Sequence, residues 1–327
     1  MEFRKIMSIL TMSTVVLAAV ACKEDDETTT LPSLDGRLTF SLPPYLEQNQ
    51  TVEMTATGVI HPEGKDDELS YSWTVSPEIG EDDEEEDDED ETQTSTFIQN
   101  FGDELQTYTV SCSASASGYY SLSSSRSTTV VKSGLDGTGT ITGIDISGLN
   151  SPVTDEDGNK YYYTSIGSLD WFIQNLATDG AGIPYENSEV MSYIFGRYYS
   201  YEEALTACPD GWRLPTESEW EECFGDCSSG DIMADVHFNG EKMWEFWPEV
   251  EITNSTGFSA VPAGYANLAS KDFTGITEWA MFWVTPDDAD TAGDLAPVKY
   301  IKDDSPVIQT FMADKASYGA SVRCVRQ

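Results

Sequence analysis

The chain has 327 residues, of which 58 are Asp or Glu and 17 are Lys or Arg, so its formal net charge is −41. A surface this acidic repels phosphate backbones and anionic lipid surfaces, which argues against nucleic acid and bare membrane surfaces as partners. The length leaves room for two domains beside a terminal segment.

The first 21 residues have the layout of a bacterial export signal. Arg4 and Lys5 are followed by a largely apolar stretch, and small residues precede Cys22. The apolar stretch is too short for a comfortable membrane span. A cysteine directly after small residues resembles a lipobox, where a lipid is attached to the thiol. We therefore expect residues 1–21 to be a lipoprotein signal peptide and Cys22 to be lipidated, with an ordinary signal peptide cleaved after Ala21 as the alternative.

Residues 22–33 are interpreted as a tether. Four acidic residues lie within 24–27, directly after Cys22 and Lys23. This patch resembles the surface-export tag of Bacteroidota lipoproteins, which implies an outer-membrane anchor with the body of the protein exposed on the cell surface. A merely solvated tether is the alternative. No other segment is apolar for long enough to span a bilayer, so we expect membrane contact through the lipid anchor only.

Residues 34–133 predict an all-β domain. Apolar and polar residues alternate in several short segments, most clearly from Tyr108 to Ala116. This period of two indicates antiparallel strands packed on one side, and short strands at this spacing favour a sandwich. In this register Cys112 points inward as a small hydrophobe. The segments around Trp73 and Tyr108 resemble bacterial Ig-like and PKD-type modules, where the tryptophan lies on a central strand and fills the core.

An unbroken acidic run occupies residues 81–91, between the Trp73 strand and the next one. Such runs are usually self-repelling and disordered, and a loop at this place lengthens at modest entropic cost. Loose binding of cations is the alternative, since an ordered calcium site needs six to eight oxygens in fixed positions.

Residues 134–143 are rich in Gly, Thr and Asp and predict a linker. Residues 144–327 form a second domain that is dense in aromatic residues. Asp-Gly at 157–158 predicts a hairpin turn rather than a calcium loop, because the Gly comes too early and no Glu follows at the required place. Capping boxes at Ser200 and Thr216 predict two short helices. Strands before and after these helices indicate an α+β domain.

A series of short motifs in this second domain is specific enough to suggest a family. The motifs are Val153-Thr154-Asp155, Asp157-Gly158-Asn159, Asn175-Leu176, Ala207-Cys208-Pro209-Asp210-Gly211-Trp212, Arg213-Leu214-Pro215-Thr216, Gly257-Phe258-Ser259-Ala260, Pro262-Ala263-Gly264-Tyr265, Phe282-Trp283 and Ser321-Val322-Arg323-Cys324-Val325. In this order they resemble the Fibrobacter succinogenes major paralogous domain (FISUMP) family. The resemblance implies a C-type-lectin-like fold, an α+β domain with long loops.

The resemblance also implies a disulfide between Cys208 and Cys324, tying the first helix to the last strand. Disulfides persist in exported proteins, and closing a loop of more than about 100 residues stabilises a fold by about 4 to 5 kcal/mol in the chain-entropy model. Cys223 and Cys227 are candidates for a local disulfide, although a regular helix would strain it. Metal binding by this pair is the alternative, but no third or fourth ligand is evident.

Several enzyme classes are disfavoured by the sequence. The segment 213–221 resembles formylglycine-generating enzymes, but that class needs two reactive cysteines shortly before its closing Arg-Cys, and residues 282–322 contain none. His61 and His237 fall in different predicted domains, so neither a Ser-His-Asp triad nor a His-rich metal site is indicated. Phosphate loops and the signatures of calcium-dependent lectins are missing too. We therefore expect a protein that is not an enzyme and needs no metal or cofactor.

The expected architecture is an all-β Ig-like sandwich followed by an α+β C-type-lectin-like domain. A tether, a spacer and a lectin-like head favour a calcium-independent binding role at the cell surface, in adhesion or in recognition of a carbohydrate or a surface protein. A structural or assembly component of the cell envelope is the alternative, and an enzyme is less favoured. Because flat aromatic faces stack on sugar rings and apolar patches, the candidate ligand contacts are Trp244, Phe246, Trp247, Tyr193 and Tyr198, with core packing as the alternative for each.

Overall fold

The computed structural model describes residues 30–79, 94–131, 141–142, 144–245, 250–288 and 293–327. The chain divides into an N-terminal unit that ends at Val131 and a C-terminal unit from Lys132 to Gln327, and it is mostly β. Within the described ranges no helix is long and apolar enough to cross a membrane. The signal peptide, Cys22, most of the tether, the acidic run and the pair Phe246 and Trp247 lie outside the described residues.

The N-terminal unit is built from short strands and one 3₁₀ turn at Asp66–Glu68. The strands are β1 (Asp35–Thr39), β2 (Tyr45–Glu47), β3 (Thr51–Thr55), β4 (Thr57–Ile60), β5 (Ser70–Ser76), β6 (Thr96–Asn100), β7 (Thr107–Ser115) and β8 (Leu122–Val131). The largest sheet has the order β2-β8-β7-β5, and β1 pairs with β4 and β3 with β6. Only the β2–β8 pair is parallel among these described strands.

Strand β7 confirms the predicted alternation. Tyr108, Val110, Cys112 and Ala114 are buried, while the hydroxyl residues between them face the other side and bond across to β8. Trp73 is also buried, but its strand β5 is an outer strand of the described sheet, whereas the resemblance implied a central one. The Ser-rich strand β8 has little apolar alternation, which is why the sequence did not reveal it.

The C-terminal unit contains many very short strands and four short α-helices in its described part. The strands are β9 (Ile141–Thr142), β10 (Val153–Thr154), β11 (Lys160–Tyr161), β12 (Tyr163–Ile166), β13 (Leu169–Phe172), β14 (Ile183–Pro184), β15 (Arg197–Tyr198), β16 (His237–Phe238), β17 (Glu241–Lys242), β18 (Tyr265–Asn267), β19 (Asp272–Thr274), β20 (Trp279–Trp283), β21 (Leu295–Lys302), β22 (Ser305–Asp314), β23 (Tyr318–Gly319) and β24 (Val325–Arg326). The helices are α1 (Ser192–Phe195), α2 (Tyr201–Ala207), α3 (Glu217–Phe224) and α4 (Ser229–Ile232), with 3₁₀ turns at Tyr185–Asn187 and Glu189–Met191.

Part of the predicted linker is a strand. Ile141 and Thr142 form β9, which pairs with Phe238 and His237 of β16. The Gly-rich and Asp-rich composition of residues 134–143 hid this pair of β-branched residues. Residues 132–140 and Gly143 lie outside the described residues. The C-terminal unit therefore includes residues that composition assigned to the linker.

Local signals in the C-terminal unit are confirmed. Ser200 accepts the backbone N–H of Glu203 while the Glu203 carboxylate accepts that of Ser200, and Thr216 and Glu219 do the same. These boxes begin α2 and α3, as predicted. The hairpin at residues 153–161 also forms, with β10 and β11 paired across the Asp-Gly turn. Helices α1 and α4 were not predicted.

Candidate ligand-binding site

Two of the aromatic residues that the sequence nominated as ligand contacts are in the core. Trp244 is 1% exposed, and its indole N–H donates to the Ala234 carbonyl at 3.0 Å. Tyr198 is 0% exposed, and its hydroxyl donates to the Ala263 carbonyl at 2.6 Å. Because each ring is enclosed and its polar atom is satisfied inside the fold, the assignment of these two residues to a ligand surface is wrong.

The other nominated residues are placed as follows. Tyr193 is half-buried and lines a cavity of about 30 Å³ beside Arg323, which is too small for a ligand larger than a few atoms. Phe246 and Trp247 lie outside the described residues. None of the three nominated residues that the structure describes therefore lies at a site of ligand size, and the nomination of Phe246 and Trp247 stays a prediction.

The five cysteines in the described part of the chain occupy three different environments. Cys208 and Cys324 are joined by a disulfide. Cys223 and Cys227 are free and half-buried, so the structure does not contain the local disulfide for which they were candidates. Burial raises the pKa of both thiols. Cys112 is free and fully buried, and burial raises its pKa to about 11. These three thiols of the described residues are therefore poorly ionised near neutral pH.

A different feature has the size and chemistry of a ligand site. An open pocket of about 370 Å³ lies on one face of the sheet β20-β21-β22. We call it the aromatic pocket, and it is lined by Tyr265, Trp279, Met281, Tyr300, Lys302, Phe311 and Tyr318. Ligand sites are typically concave, mainly apolar and supplied with a few polar groups, which is the composition found here.

The strand register explains why these side chains meet. Trp279 pairs with Lys302 and Met281 with Tyr300 across β20 and β21, and side chains two residues apart share a face. Phe311 reaches the same face from β22, where it pairs with Val298. The opposite face of β20 is covered, since Phe282 packs against Trp220 of helix α3 with ring centres 5.7 Å apart. One face of the sheet is thus closed by a helix and the other carries the pocket.

The wall of the pocket comes from the small sheet β19-β18-β23, which supplies Tyr265 and Tyr318. Isolated bridges connect Gly264 to Ala280 and Phe282 to Ser321, which hold this sheet beside β20. Gly264 has a φ of +59°, and a Cβ there would lie 2.1 Å from the Thr274 carbonyl oxygen. Glycine is therefore required at position 264, where the sheet β19-β18-β23 meets strand β20.

Contact with Gly275 fixes the position of the Trp279 ring. Its ring packs on Gly275, where a Cβ would come within 2.5 Å of the indole. The backbone N–H of Trp279 donates to the Gly275 carbonyl at 2.8 Å. Gly275 has a φ of +73°, so the turn also favours glycine for conformational reasons. The close approach fixes one face of the indole against the backbone.

Three rings along the pocket are nearly parallel. The Tyr265 and Trp279 rings are inclined by 3° with centroids 6.2 Å apart, and the Tyr265 and Tyr318 rings by 11° at 4.6 Å. Phe311 stands edge-on to both Tyr300 and Tyr318. Trp283, on the same strand as Trp279, is buried in the core and donates its indole N–H to the Tyr199 carbonyl at 2.7 Å. This bond anchors strand β20. The rings are therefore preorganised for contact with a flat, weakly polar ligand.

The pocket has few polar groups, and the charges among them nearly cancel. Lys302 is the one charged side chain of the lining, and its ammonium lies 3.4 Å from the Asp304 carboxylate. The Tyr300 hydroxyl is hydrogen-bonded to the Gln309 side chain, and that of Tyr318 to the Met281 sulfur. Burial raises the pKa of Tyr318 far above its usual range, so this ring stays neutral.

The described residues contain no group of three or more His, Cys, Asp or Glu side chains placed to hold a metal ion. His61 is buried in the N-terminal unit, where its Nδ1 accepts the backbone N–H of Glu63, and His237 lies in β16 of the C-terminal unit. Neither histidine lines the aromatic pocket.

The sequence contains a partial signal for this pocket. Aromatic or long apolar residues at every second position, as in Trp279, Met281 and Trp283, mark one face of a strand. The pattern does not say which face is open, because that depends on helix α3 covering the other side. The nominated cluster at 244–247 was chosen for aromatic density instead, which does not separate core from surface.

Comparison with known families gives one match. Residues 164–326 match the model of the Fibrobacter succinogenes major domain, a span that includes every residue lining the aromatic pocket. A search of curated proteins gives no match to the chain. The C-terminal unit of this chain therefore contains a Fibrobacter succinogenes major domain.

Proposed function

We propose that this protein is a lipid-anchored outer-membrane protein, exposed on the cell surface, whose C-terminal unit is a non-catalytic binding head. The observation that carries the proposal is the aromatic pocket: an open cavity of ligand size with ordered rings and few polar groups. The anchor and the location rest on the export-signal layout, on Cys22 and on the acidic residues that follow it.

We further propose that the N-terminal unit is an Ig-like spacer and that the head is C-type-lectin-like. Antiparallel pairing of β5, β7 and β8 around a buried Trp73 supports the first assignment. The second assignment is supported by contacts between the beginning and the end of the C-terminal unit. Its early strand β13 pairs with its last strand β24, and the Cys208–Cys324 disulfide links the end of α2 to the residue before β24.

The chemistry of the pocket supports binding rather than catalysis. Catalysis of acyl or phosphoryl transfer needs a nucleophile beside a base, or charges placed to stabilise a transition state. The lining offers four aromatic hydroxyl or indole groups, a thioether, a phenyl ring and a single ammonium group. These side chains bind a ligand by stacking and hydrogen bonding, and neither interaction requires calcium.

A single pocket of this kind gives weak affinity, so the surface display matters. Many copies anchored on one cell present many pockets to one target, and multivalency then raises the overall avidity by orders of magnitude. This is the physical reason to couple a small aromatic site to a lipid anchor and a spacer.

The test is binding by the detergent-solubilised full chain, compared with Trp279→Ala. The ligands are a glycan array and purified envelope proteins, each with and without a calcium chelator. We expect binding that survives the chelator and is lost in Trp279→Ala. Binding that the chelator abolishes contradicts the calcium-independent mechanism. A chain that binds none of these ligands, yet is required for assembly of an envelope complex, favours the structural alternative.

A further inference from the structure

We propose that the ligand of the aromatic pocket is a neutral pyranose ring within a glycan chain, stacked on Trp279 and Tyr265. The inference rests on the proposed binding function and specifies its ligand class. It follows from three properties of the pocket: the arrangement of its rings, its charge and its size.

The rings provide flat surfaces that match the apolar face of a sugar. Trp279 and Tyr265 are inclined by only 3°, and Trp279 has one face fixed against Gly275. A pyranose has an apolar face of C–H groups and an equatorial rim of hydroxyls, so it contacts such rings face-on while its hydroxyls remain available for hydrogen bonds. The rings are already ordered without ligand, which lowers the entropic cost of binding.

The charge of the pocket selects against ionic ligands. The Lys302 ammonium lies 5.5 Å from the centre of the Trp279 ring, and its positive charge disfavours a cationic ligand at that ring. Asp304 lies 3.4 Å from that ammonium, so the site has little net positive charge to attract an acid. The chain as a whole carries −41 charges and repels polyanions. A neutral ligand meets neither penalty.

Hydroxyl groups of such a ligand find partners at the edge of the pocket. Lys302 is a donor, Asp304 is an acceptor, and the Tyr300 hydroxyl with the Gln309 side chain supplies both. These groups come from β21 and from the turn and strand that follow it. The combination of a flat apolar surface with hydroxyl partners beside it is what distinguishes a sugar from a purely apolar ligand.

The size of the pocket favours a glycan over a protein surface. A volume of about 370 Å³ is within the range of small-ligand pockets. A stable protein interface buries about 800 Å² on each partner, much more than one such pocket provides. Apart from Met281, the lining side chains are only half-buried, so the pocket is open and its ligand can be one ring of a longer chain.

The experiment is isothermal titration of the full chain with neutral hexasaccharides of β-1,4-glucose, β-1,4-mannose, β-1,4-xylose and α-1,4-glucose. Oligogalacturonate and choline serve as acidic and cationic probes, and all titrations contain chelator. We expect at least one neutral hexasaccharide to bind and both charged probes to bind at least about tenfold more weakly. Preferential binding of either charged probe, or no binding of any neutral hexasaccharide, overturns the inference.

The variants locate the site. Trp279→Ala should weaken the neutral hexasaccharide at least about tenfold, and Tyr120→Ala, which removes a half-exposed tyrosine from the N-terminal unit, should leave it unchanged. Lys302→Met alters the pocket without removing a ring and should weaken binding about fivefold, which keeps the test decisive if Trp279→Ala fails to fold. Full affinity in folded Trp279→Ala or in Lys302→Met places the glycan elsewhere and overturns the inference.

Failure of this inference is distinguishable from failure of the proposed function. If no sugar binds but a purified envelope protein binds the wild type and not Trp279→Ala, the head is a binding module and the sugar assignment is wrong. If neither class of ligand binds, both proposals are wrong.

Discussion

Cys208, directly after helix α2, is disulfide-bonded to Cys324, directly before strand β24, and the bond closes a sequence separation of 116 residues. Cys324 is fully buried in a hydrophobic core cluster of the C-terminal unit. The bond therefore restricts the unfolded chain over most of this unit, which has a core of its own.

Removing this disulfide should destabilise the C-terminal unit selectively. We expect Cys208→Ser with Cys324→Ser to lower its free energy of unfolding by about 4 to 5 kcal/mol, as the chain-entropy model gives for a loop near 100 residues. Calorimetry should show one transition moving down while the transition of the N-terminal unit stays. The matched control is Cys223→Ser with Cys227→Ser, which removes two free thiols and should cost much less. Equal losses in the two double variants would contradict the assignment.

Arg323 should be the most important single side chain for the stability of the C-terminal unit. It is fully buried, and its guanidinium donates to the carbonyls of Phe172, Phe258 and Ser259 and to the side chain of Asn175. Arg323→Met leaves several buried acceptors without donors, so we expect a loss of about 3 kcal/mol or more, measured by denaturant unfolding.

Arg326 provides the matched control for that substitution. It lies three residues away, is partly exposed, and pairs with Asp170 at 3.1 Å. Its guanidinium also lies over the Tyr163 and Trp212 rings. A partly exposed ion pair and such ring contacts each contribute about 1 kcal/mol, so Arg326→Met should cost less than Arg323→Met. Arg323→Lys should recover only part of the loss, because an ammonium cannot reproduce the planar fork of donors. Full recovery by Lys would show that charge alone, and not geometry, is what the site needs.

The structural features that were predicted correctly from the sequence depend on interactions between residues close together in the chain. The boxes at Ser200 and Thr216 are local hydrogen bonds between residues three apart, and both formed. The alternation along β7 is likewise local, and it placed Cys112 inside. Disulfide pairing is not local and came only from the family resemblance.

The candidate site depends on contacts between distant residues, and the sequence did not predict it. Trp244 is buried, and its indole N–H donates to the carbonyl of Ala234, which lies just after helix α4. Trp279 lines a pocket because Tyr265 and Tyr318 arrive beside it from another sheet. Nothing in the composition of either segment separates these two tryptophans. Which face of a strand is covered is decided by tertiary packing, and this limited the sequence-based prediction.

Asp231 should make stability depend on pH in the acidic range. Its carboxylate accepts hydrogen bonds from Ser228 first, and from Ser255 and Thr253, which lowers its pKa from 3.8 to about 2. A depressed folded-state pKa contributes stability above the unfolded value, and that contribution is lost as pH falls from about 4 to about 2.

The variant Asp231→Asn tests this. We expect a lower unfolding midpoint than wild type at pH 6 and a difference that shrinks as the pH approaches 2. Asp210→Asn, at an exposed position, reports the effect of removing one surface charge. A difference between wild type and Asp231→Asn that stays constant from pH 6 to pH 2 would show that the carboxylate does not bind the loop residues as an anion.

Cys22 should be the lipidated N-terminus of the mature protein. The expectation rests on the small residues before it and the charged residues after it. Mass spectrometry of the N-terminal peptide should show an acylated cysteine, and Cys22→Ala should move the protein from the membrane fraction to the soluble fraction. The conservative control Ala21→Gly keeps the small-residue approach and should remain membrane-bound. An unmodified Cys22 thiol in the purified protein is incompatible with the lipoprotein assignment.

Gly275 should control the pocket without being part of its lining. Its φ is +73°, and a Cβ would lie 2.5 Å from the Trp279 indole. Gly275→Ala therefore forces the ring away from its position, and we expect ligand affinity to fall about tenfold or more, as in Trp279→Ala. Near-ultraviolet circular dichroism should report the changed environment of the indole while the far-ultraviolet spectrum is unchanged.

Gly240 separates this steric effect from backbone strain. It has a φ of +84° in the β16–β17 turn, and a Cβ there would meet no atom within 4 Å. Gly240→Ala and Gly275→Ala thus share a cost of about 1 kcal/mol for a left-handed backbone, but only the second displaces Trp279. We expect Gly275→Ala to lose at least as much stability as Gly240→Ala, and only Gly275→Ala to lose ligand. If the two bind equally well, the position of the Trp279 ring does not determine binding, because its displacement is the one difference between them at the pocket.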